Sequence, residues 1–415
     1  MEITKDVSRF KKWEVLALLW LCFFLNQGDR QVFNTVLPLI RDDLGLTEAT
    51  LGGVASLFLM VFAVFVLASG YLADRFSKKW VIVLSVLFWS VAAIFTGMGT
   101  VLIHLLIFRS FAAMGEASFA PSNYAMIGDY HHKTRSMAMS IHQTSLYVGV
   151  IVSGFLAGWI GENLGWRYAF YIYGSLGVLL GSVLIFRLKD YKLPEKEVPI
   201  ETPKKPSLKK AFTILFTNPT AILLTLAFAC MVFVNVGYLT WAPTLLHEKF
   251  DLSLANAGFS SMFYFNVCAF VGILFAGKFT DNLVQKKRNS RLTVQAWGML
   301  LAAPFILLMG NSASLDVVYF ALAGFGLFRA LYDANIYASL YDVIEAKYRA
   351  SVSGVMIFFA FITGAASPYL LGSLKPVLGL AEALGLLSVI SLLSALFIFI
   401  AKHYFFAKDY VVENH

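Results

Sequence analysis

The chain has 415 residues, 59% of them hydrophobic and only 14% charged, whereas a soluble domain is nearer half apolar and a quarter charged. That balance excludes a soluble globular protein and predicts an all-α polytopic membrane protein. The formal net charge of +8 does not point to nucleic acid, because the basic residues gather in short loops on one side, as membrane topology requires.

Stretches of about 20 mostly apolar residues, enough to cross a bilayer, occur twelve times. They cover 14–38, 51–73, 80–100, 103–128, 138–161, 168–186, 219–244, 255–278, 293–311, 315–341, 350–374 and 379–402. The segment before the first span, Met1–Trp13, is charged and leads straight into a full-length span, so no cleaved secretory signal is expected. Between spans six and seven, residues 187–210 are rich in Lys, Glu and Pro (Pro194, Pro199, Pro203, Pro206). This reads as a solvated linker, with a short surface helix at Leu208–Phe216. The expected organisation is a six-helix bundle over 1–187, a cytoplasmic linker over 188–215 and a second six-helix bundle over 216–415.

Cys22, Cys230 and Cys268 all fall inside apolar runs, so they read as small buried hydrophobes, with no disulfide framework or metal motif. No nucleophile–base arrangement, phosphate loop or metal-ligand spacing appears, which argues against an enzyme and against any cofactor. A monomer is expected.

Orientation follows from Lys and Arg in the loops. With a cytoplasmic N-terminus, the inner segments hold 26 basic residues and the outer loops only four, Arg41, Arg167, Lys249 and Lys375. Both termini and the linker are therefore placed in the cytoplasm, and the protein in the cytoplasmic (inner) membrane. The remaining three basic residues, Arg30, Arg109 and Arg329, lie within spans, as do the acids Asp29, Glu116 and Asp333. An isolated charge at the bilayer centre costs roughly 2.5–3.5 kcal/mol on insertion scales, so such residues usually line a substrate or proton path.

The two halves are alike. Gly70-Tyr-Leu-Ala-Asp74-Arg75-Phe-Ser-Lys78-Lys79 follows span two, and Gly277-Lys-Phe-Thr-Asp281 follows span eight. Asp129 and Arg135 follow span four, as Asp342 and Arg349 follow span ten. A near-constant offset of roughly 210 residues marks a 6+6 parallel repeat. The loop Gly70-x-x-x-Asp74-Arg75-x-x-Lys78-Lys79 resembles the signature of the major facilitator superfamily, although Ser77 stands where a glycine is usual. The resemblance covers essentially the whole chain. It implies two six-helix bundles, a central cavity lined by spans one, four, seven and ten, and rocker-switch alternating access.

A narrower resemblance rests on Asn26-Gln-Gly-Asp29-Arg30 in span one and Arg109-Ser-Phe-Ala-Ala-Met-Gly115-Glu116-Ala117 in span four. It is similar to the anion:cation symporter family, which implies transport of sugar acids such as sialate, hexuronates and aldonates, often with protons. Gly115-Glu-Ala-Ser118 also resembles Spinster-like transporters, which implies the alternative of a lysolipid or sphingoid-lipid exporter.

Geometry supports a charged centre independently of either resemblance. At 1.5 Å per residue, Asp29 lies about 22 Å above the inner end of its helix, between the depths of Arg109 and Glu116. Arg109, Glu116 and Asn123 share one face of span four. An arginine there can take a carboxylate in a two-pronged grip, and a carboxyl in a partly dry cavity can take up a proton near neutrality. Arg30 is thus the expected anion anchor, with Arg109 pairing to Asp29 or to substrate. Glu116 and Asp29 are the proton-coupling candidates, Glu116 first; sodium stays open as the coupling ion.

Arg329 and Asp333 stand i, i+4 on span ten. They either pair within that helix or serve the substrate path, Arg329 as a contact to sugar hydroxyls and Asp333 as a further coupling carboxyl. Asn26, Asn123, Gln143, Tyr147, Asn235, Tyr238 and Trp241 complete the candidate substrate contacts. His142 and the loop pair His131-His132 read as solvated. Asp74, Arg75, Asp129 and Arg135 are the gating candidates: Asp74 would cap a neighbouring helix while Arg75 pairs with Asp129.

Overall fold

A computed structural model describes residues 9–131, 134–190 and 208–411, and every regular element among them is helical. In chain order these are α1 Arg9–Thr35, α2 Leu37–Leu44, α3 Glu48–Arg75, α4 Lys78–Gly97, α5 Leu102–Tyr130, α6 Arg135–Leu164 and α7 Trp166–Arg187. Then follow α8 Leu208–Thr217, α9 Pro219–Phe250, α10 Leu254–Val284, α11 Ser290–Asn311, α12 Leu315–Asp333 and α13 Ile336–Tyr341. The last are α14 Arg349–Gly364, α15 Ala366–Leu378, α16 Leu380–Gly385, α17 Leu387–Ile400 and α18 Phe406–Asp409.

Eleven helical stretches among the described residues are long and apolar enough to cross a membrane, and they match the expected spans two to twelve. The helix at the expected first span, α1, has 27 residues, but Asn26, Gln27, Asp29, Arg30 and Gln31 dilute its apolar character. The first, tenth, eleventh and twelfth spans are interrupted rather than continuous. At the first break, Pro38 opens α2, where its missing N–H is harmless. The surface helix appears as α8. Most of the expected linker, 191–207, lies outside the described residues.

Helix starts are capped where the sequence offers an oxygen. Ser77 Oγ accepts from the Trp80 N–H, and Asn218 Oδ1 accepts from the Ala221 N–H. Gly165 and Gly379, 214 residues apart, both adopt left-handed φ values of 99° and 87° before a helix start, a conformation open mainly to glycine. The repeat therefore extends to single backbone torsions.

The chain forms two compact units. The first comprises Met1–Leu46, Met60–Pro203 and Ser253–Phe259; the second comprises Thr47–Leu59, Lys204–Leu252 and Ser260–His415. Each unit thus includes one helix start from the other half of the sequence.

In the first unit, α4 packs on α5 and α7, and α1 packs on α6, around buried Leu19, Phe33, Trp89, Phe119 and Phe170. Gly154 of α6 meets Gly258 of α10 so closely that a Cβ on either would strike the other's carbonyl. In the second unit, α11 packs on α12 and α17, and α9 on α14 and α17, around Tyr238, Trp241, Phe265, Phe325 and Tyr332. Lys375 there bridges Glu48 and Glu248, at 2.7 Å from each.

Candidate functional site

Two ion pairs join α1 to α5 inside the first unit. Arg109 Nη1 donates to Asp29 Oδ2 at 2.5 Å, and both side chains are about 4% exposed. Arg30 Nε donates to Glu116 Oε2 at 2.6 Å; Glu116 is wholly buried, while 24% of the Arg30 side chain remains accessible. Asp29 and Arg30 point to different sides of α1 because successive helical residues diverge. Their partners stand two turns apart on α5, and the long arginine side chains span that difference. Gly115 lets α5 approach α4, since a Cβ there would meet the Trp89 and Ser85 backbone.

Aromatic faces back both guanidiniums. Arg30 lies over the Phe62 ring at 4.3 Å and Arg109 over the Phe33 ring at 5.0 Å, so the rings stabilise cations taken out of water. Asp29 Oδ1 and Glu116 Oε1 are buried without a hydrogen-bond partner among the described residues. Each acid therefore keeps an acceptor unused, a costly arrangement for a purely structural pair. The centre can bind an anion at the accessible Arg30 and can hold a proton on a carboxyl that neutralisation would release from its arginine.

Of the expected substrate contacts in this unit, Asn26 is buried, accepts from Gln27 Nε2 at 2.9 Å and leaves its Nδ2 without a partner among the described residues. Gln143 is exposed and Tyr147 half-buried. Asn123 is buried and lies 2.9 Å from His142 Nε2. That pairing corrects the expectation of a solvated His142: the residue is fully buried, stacked on Phe23 with ring centroids 4.9 Å apart. The loop position of His131 misleads in the same way. Its ring is buried, with Nε2 on the Lys12 carbonyl and Nδ1 on Thr134 Oγ1, each at 3.0 Å. Burial pushes this imidazole below its usual value. His132 lies outside the described residues.

The second unit has its own polar group. Arg329 Nη1 donates to Asn235 Oδ1 at 2.6 Å, Nη2 meets Asp333 Oδ2 at 3.2 Å, and the guanidinium lies 5.3 Å from the Phe265 ring centre. The i, i+4 pair expected from spacing is formed. Tyr238 and Trp241, expected to touch substrate, are instead buried packing groups. The Tyr238 hydroxyl donates to the Ser261 carbonyl, and Trp241 Nε1 donates to the Pro368 carbonyl at 3.0 Å. A helical periodicity cannot tell which aromatic spends its polar atom on backbone.

At the helix ends, Asp129 is held by Lys78 at 2.5 Å. The equivalent pair 213 residues later is Arg291 and Asp342, with contacts of 2.8 and 3.0 Å. Lys78–Asp129 thus stands where an Arg75–Asp129 pair was expected. Arg75 is exposed, and the Arg135 guanidinium packs beside Gly128. The Asp74 side chain lies outside the described residues.

Comparison with known proteins gives a consistent picture. The description "Major Facilitator Superfamily" matches residues 19–368. The chain is 26% identical to the probable galactarate/D-glucarate transporter GudP of Bacillus subtilis, over 89% of this chain and 86% of that protein. It is 27% identical to the hexuronate transporter of the same organism, over 89% of each. Among solved structures, a bacterial homolog to the human lysosomal transporter Spinster superposes with a TM-score of 0.84 at 21% identity, covering 98% of this chain and all of that one.

Proposed function

The chain belongs to the major facilitator superfamily, and from that premise we propose that it is a secondary active transporter importing a carboxylate-bearing sugar acid together with protons. One observation carries the reading: a buried carboxyl, Glu116, shares the accessible arginine of the site, Arg30. A substrate carboxylate and Glu116 compete for that guanidinium, and protonating Glu116 settles the competition in favour of substrate. Binding of the anion and of the proton then reinforce each other reciprocally.

The relatives named for hexuronate and for galactarate/D-glucarate support this substrate class over others. Hexuronates, aldonates and sialate are the candidates. In the second unit, Arg329 with Asn235 supplies donors suited to hydroxyls. The excess of Lys and Arg in the inner loops supports cytoplasmic termini, and rocker-switch alternating access would expose the site to each side in turn.

The test is uptake into proteoliposomes with an inward proton gradient across a panel of hexuronates, aldonates, sialate and lysolipid. Accumulation of a sugar acid, lost in Arg30→Ala, is the expected result. Movement of lysolipid with no sugar acid accumulated would overturn it in favour of a Spinster-like lipid transporter.

A further inference from the structure

Along α5, Arg109, Glu116 and Asn123 stand seven residues apart, about 10.5 Å per step at 1.5 Å per residue. Each meets a polar partner from a neighbouring helix: Asp29, Arg30 and His142 respectively. Each of these three pairs also retains a buried acceptor with no partner among the described residues, namely Asp29 Oδ1, Glu116 Oε1 and Asn123 Oδ1. The first two pairs belong to the binding centre. The third is used by nothing described above.

His142 is enclosed on every side. From α1 it meets the Phe23 face, and its Nδ1 is buried without a hydrogen-bond partner among the described residues. From α5 it meets Asn123 and the edge of Tyr124, whose ring centre is 5.5 Å away and which is the titratable group facing it there. On its own helix, Ser145 Oγ caps its carbonyl. The charged groups next along the path are Glu116, one step away on α5, and its α1 partner Arg30.

With its proton on Nδ1, the neutral ring accepts at Nε2 from the Asn123 amide N–H. A second proton would make Nε2 a donor. Asn123 can answer by turning its amide half a revolution and presenting Oδ1, the atom now without a partner. The pair therefore has a hydrogen-bonded arrangement for the neutral ring and another for the imidazolium, with no helix moved. A structural His–Asn contact needs only one of these.

We infer that His142, switched by Asn123, is the proton station between Glu116 and the end of α5 at Tyr130. The inference rests on the proton-coupled reading above. Glu116 gives its proton to His142 Nε2 by way of water, because one step exceeds hydrogen-bond length, and is left as a carboxylate paired with Arg30. The ring is fully buried in this structure, so the imidazolium releases the proton to cytoplasmic water only when the transport cycle uncovers the inner ends of α5 and α6.

The test reconstitutes wild type, His142→Gln and Asn123→Ala, and measures two quantities with a labelled sugar acid. Counterflow exchange at symmetric pH needs no net proton transfer; gradient-driven accumulation does. For H142Q, exchange should stay within about twofold of wild type while accumulation falls at least about tenfold. N123A should keep accumulating but require a more acidic exterior, because the imidazolium has lost its acceptor.

Wild-type accumulation retained in H142Q overturns the His142 step alone; a wild type that exchanges the anion yet ignores the gradient overturns the proton-coupled reading with it. Should H142Q fold poorly, 15N-histidine spectra of wild type decide. The His142 ring should gain its second proton within the pH range over which wild type accumulates the anion and should respond to added anion, and a ring neutral throughout that range overturns the inference.

Discussion

Glu116→Gln isolates the competition at Arg30. In the structure, Glu116 Oε2 holds Arg30 Nε at 2.6 Å, and any substrate carboxylate must share or displace that contact. A hydrogen bond to a charged group contributes roughly 1.5–3 kcal/mol. Because a quarter of the Arg30 side chain is accessible, water weakens the pair and the lower figure applies. Removing the competitor should then tighten anion binding about tenfold, at about 1.4 kcal/mol per decade. Protonating Glu116 has the same effect as the substitution, so wild-type affinity should rise as pH falls while E116Q stays flat. Calorimetric titration of detergent-purified protein with glucuronate and galactonate, at pH 8 and pH 5.5, reads both effects. Affinity in E116Q equal to or weaker than wild type at pH 8 would refute the competition, and with it the coupling role of Glu116.

Asp29→Asn strands the Arg109 charge, 4% exposed, and should lower stability by about 3–5 kcal/mol. Asp29→Asn with Arg109→Gln should recover most of that loss in thermal unfolding, whereas additive losses would show that the pair is uncoupled. Hydrogen bonds from Arg167 and Trp166 hold the Asp43 carboxyl below its usual range. Since Asp43 is 44% exposed, Arg167→Met should cost less than about 1 kcal/mol. Stability from this lowered group is full above about pH 4 and lost as pH falls through its folded value; a wild-type-minus-variant difference that ignores pH would contradict this. Tyr238→Phe and Trp241→Phe should each lose about 1 kcal/mol of stability with anion affinity unchanged, and a weakened affinity would return either residue to the substrate site.

The spans were legible because crossing a bilayer demands long apolar runs, and the repeat because charged loops recur at fixed offsets. Depth put Asp29 between Arg109 and Glu116 and left Arg109 to pair with Asp29 or with substrate; the structure pairs it with Asp29. The Arg30–Glu116 pair was not legible: depth arithmetic placed Glu116 near the site, but which acid each arginine takes depends on helix rotation. Phe62 and Phe33 gave no signal among 38 phenylalanines. His142 looked solvated because it lies two turns from a helix start, yet Asn123, one heptad beyond Glu116, was a clue to a buried partner. The breaks at Val36, Ala365 and Leu386 have Pro38, Gly364 and Gly385 beside them, whereas the break at Ala334–Asn335 has neither residue next to it, so there tertiary packing rather than local propensity sets it.

The polar load of α1 bears on how the protein is made. A helix carrying Asp29 and Arg30 in its last third enters the membrane against an insertion penalty that its leucines only partly offset. Both partners, Arg109 and Glu116, are synthesised some 80 residues later. Until α5 arrives, the nascent first helix is a marginal membrane segment, held with its charges facing the insertion machinery or water. Assembly of the binding centre and committed insertion of the first helix are thus one event, so variants that remove Arg109 or Glu116 should raise the fraction of chains degraded during biogenesis before any transport step is reached.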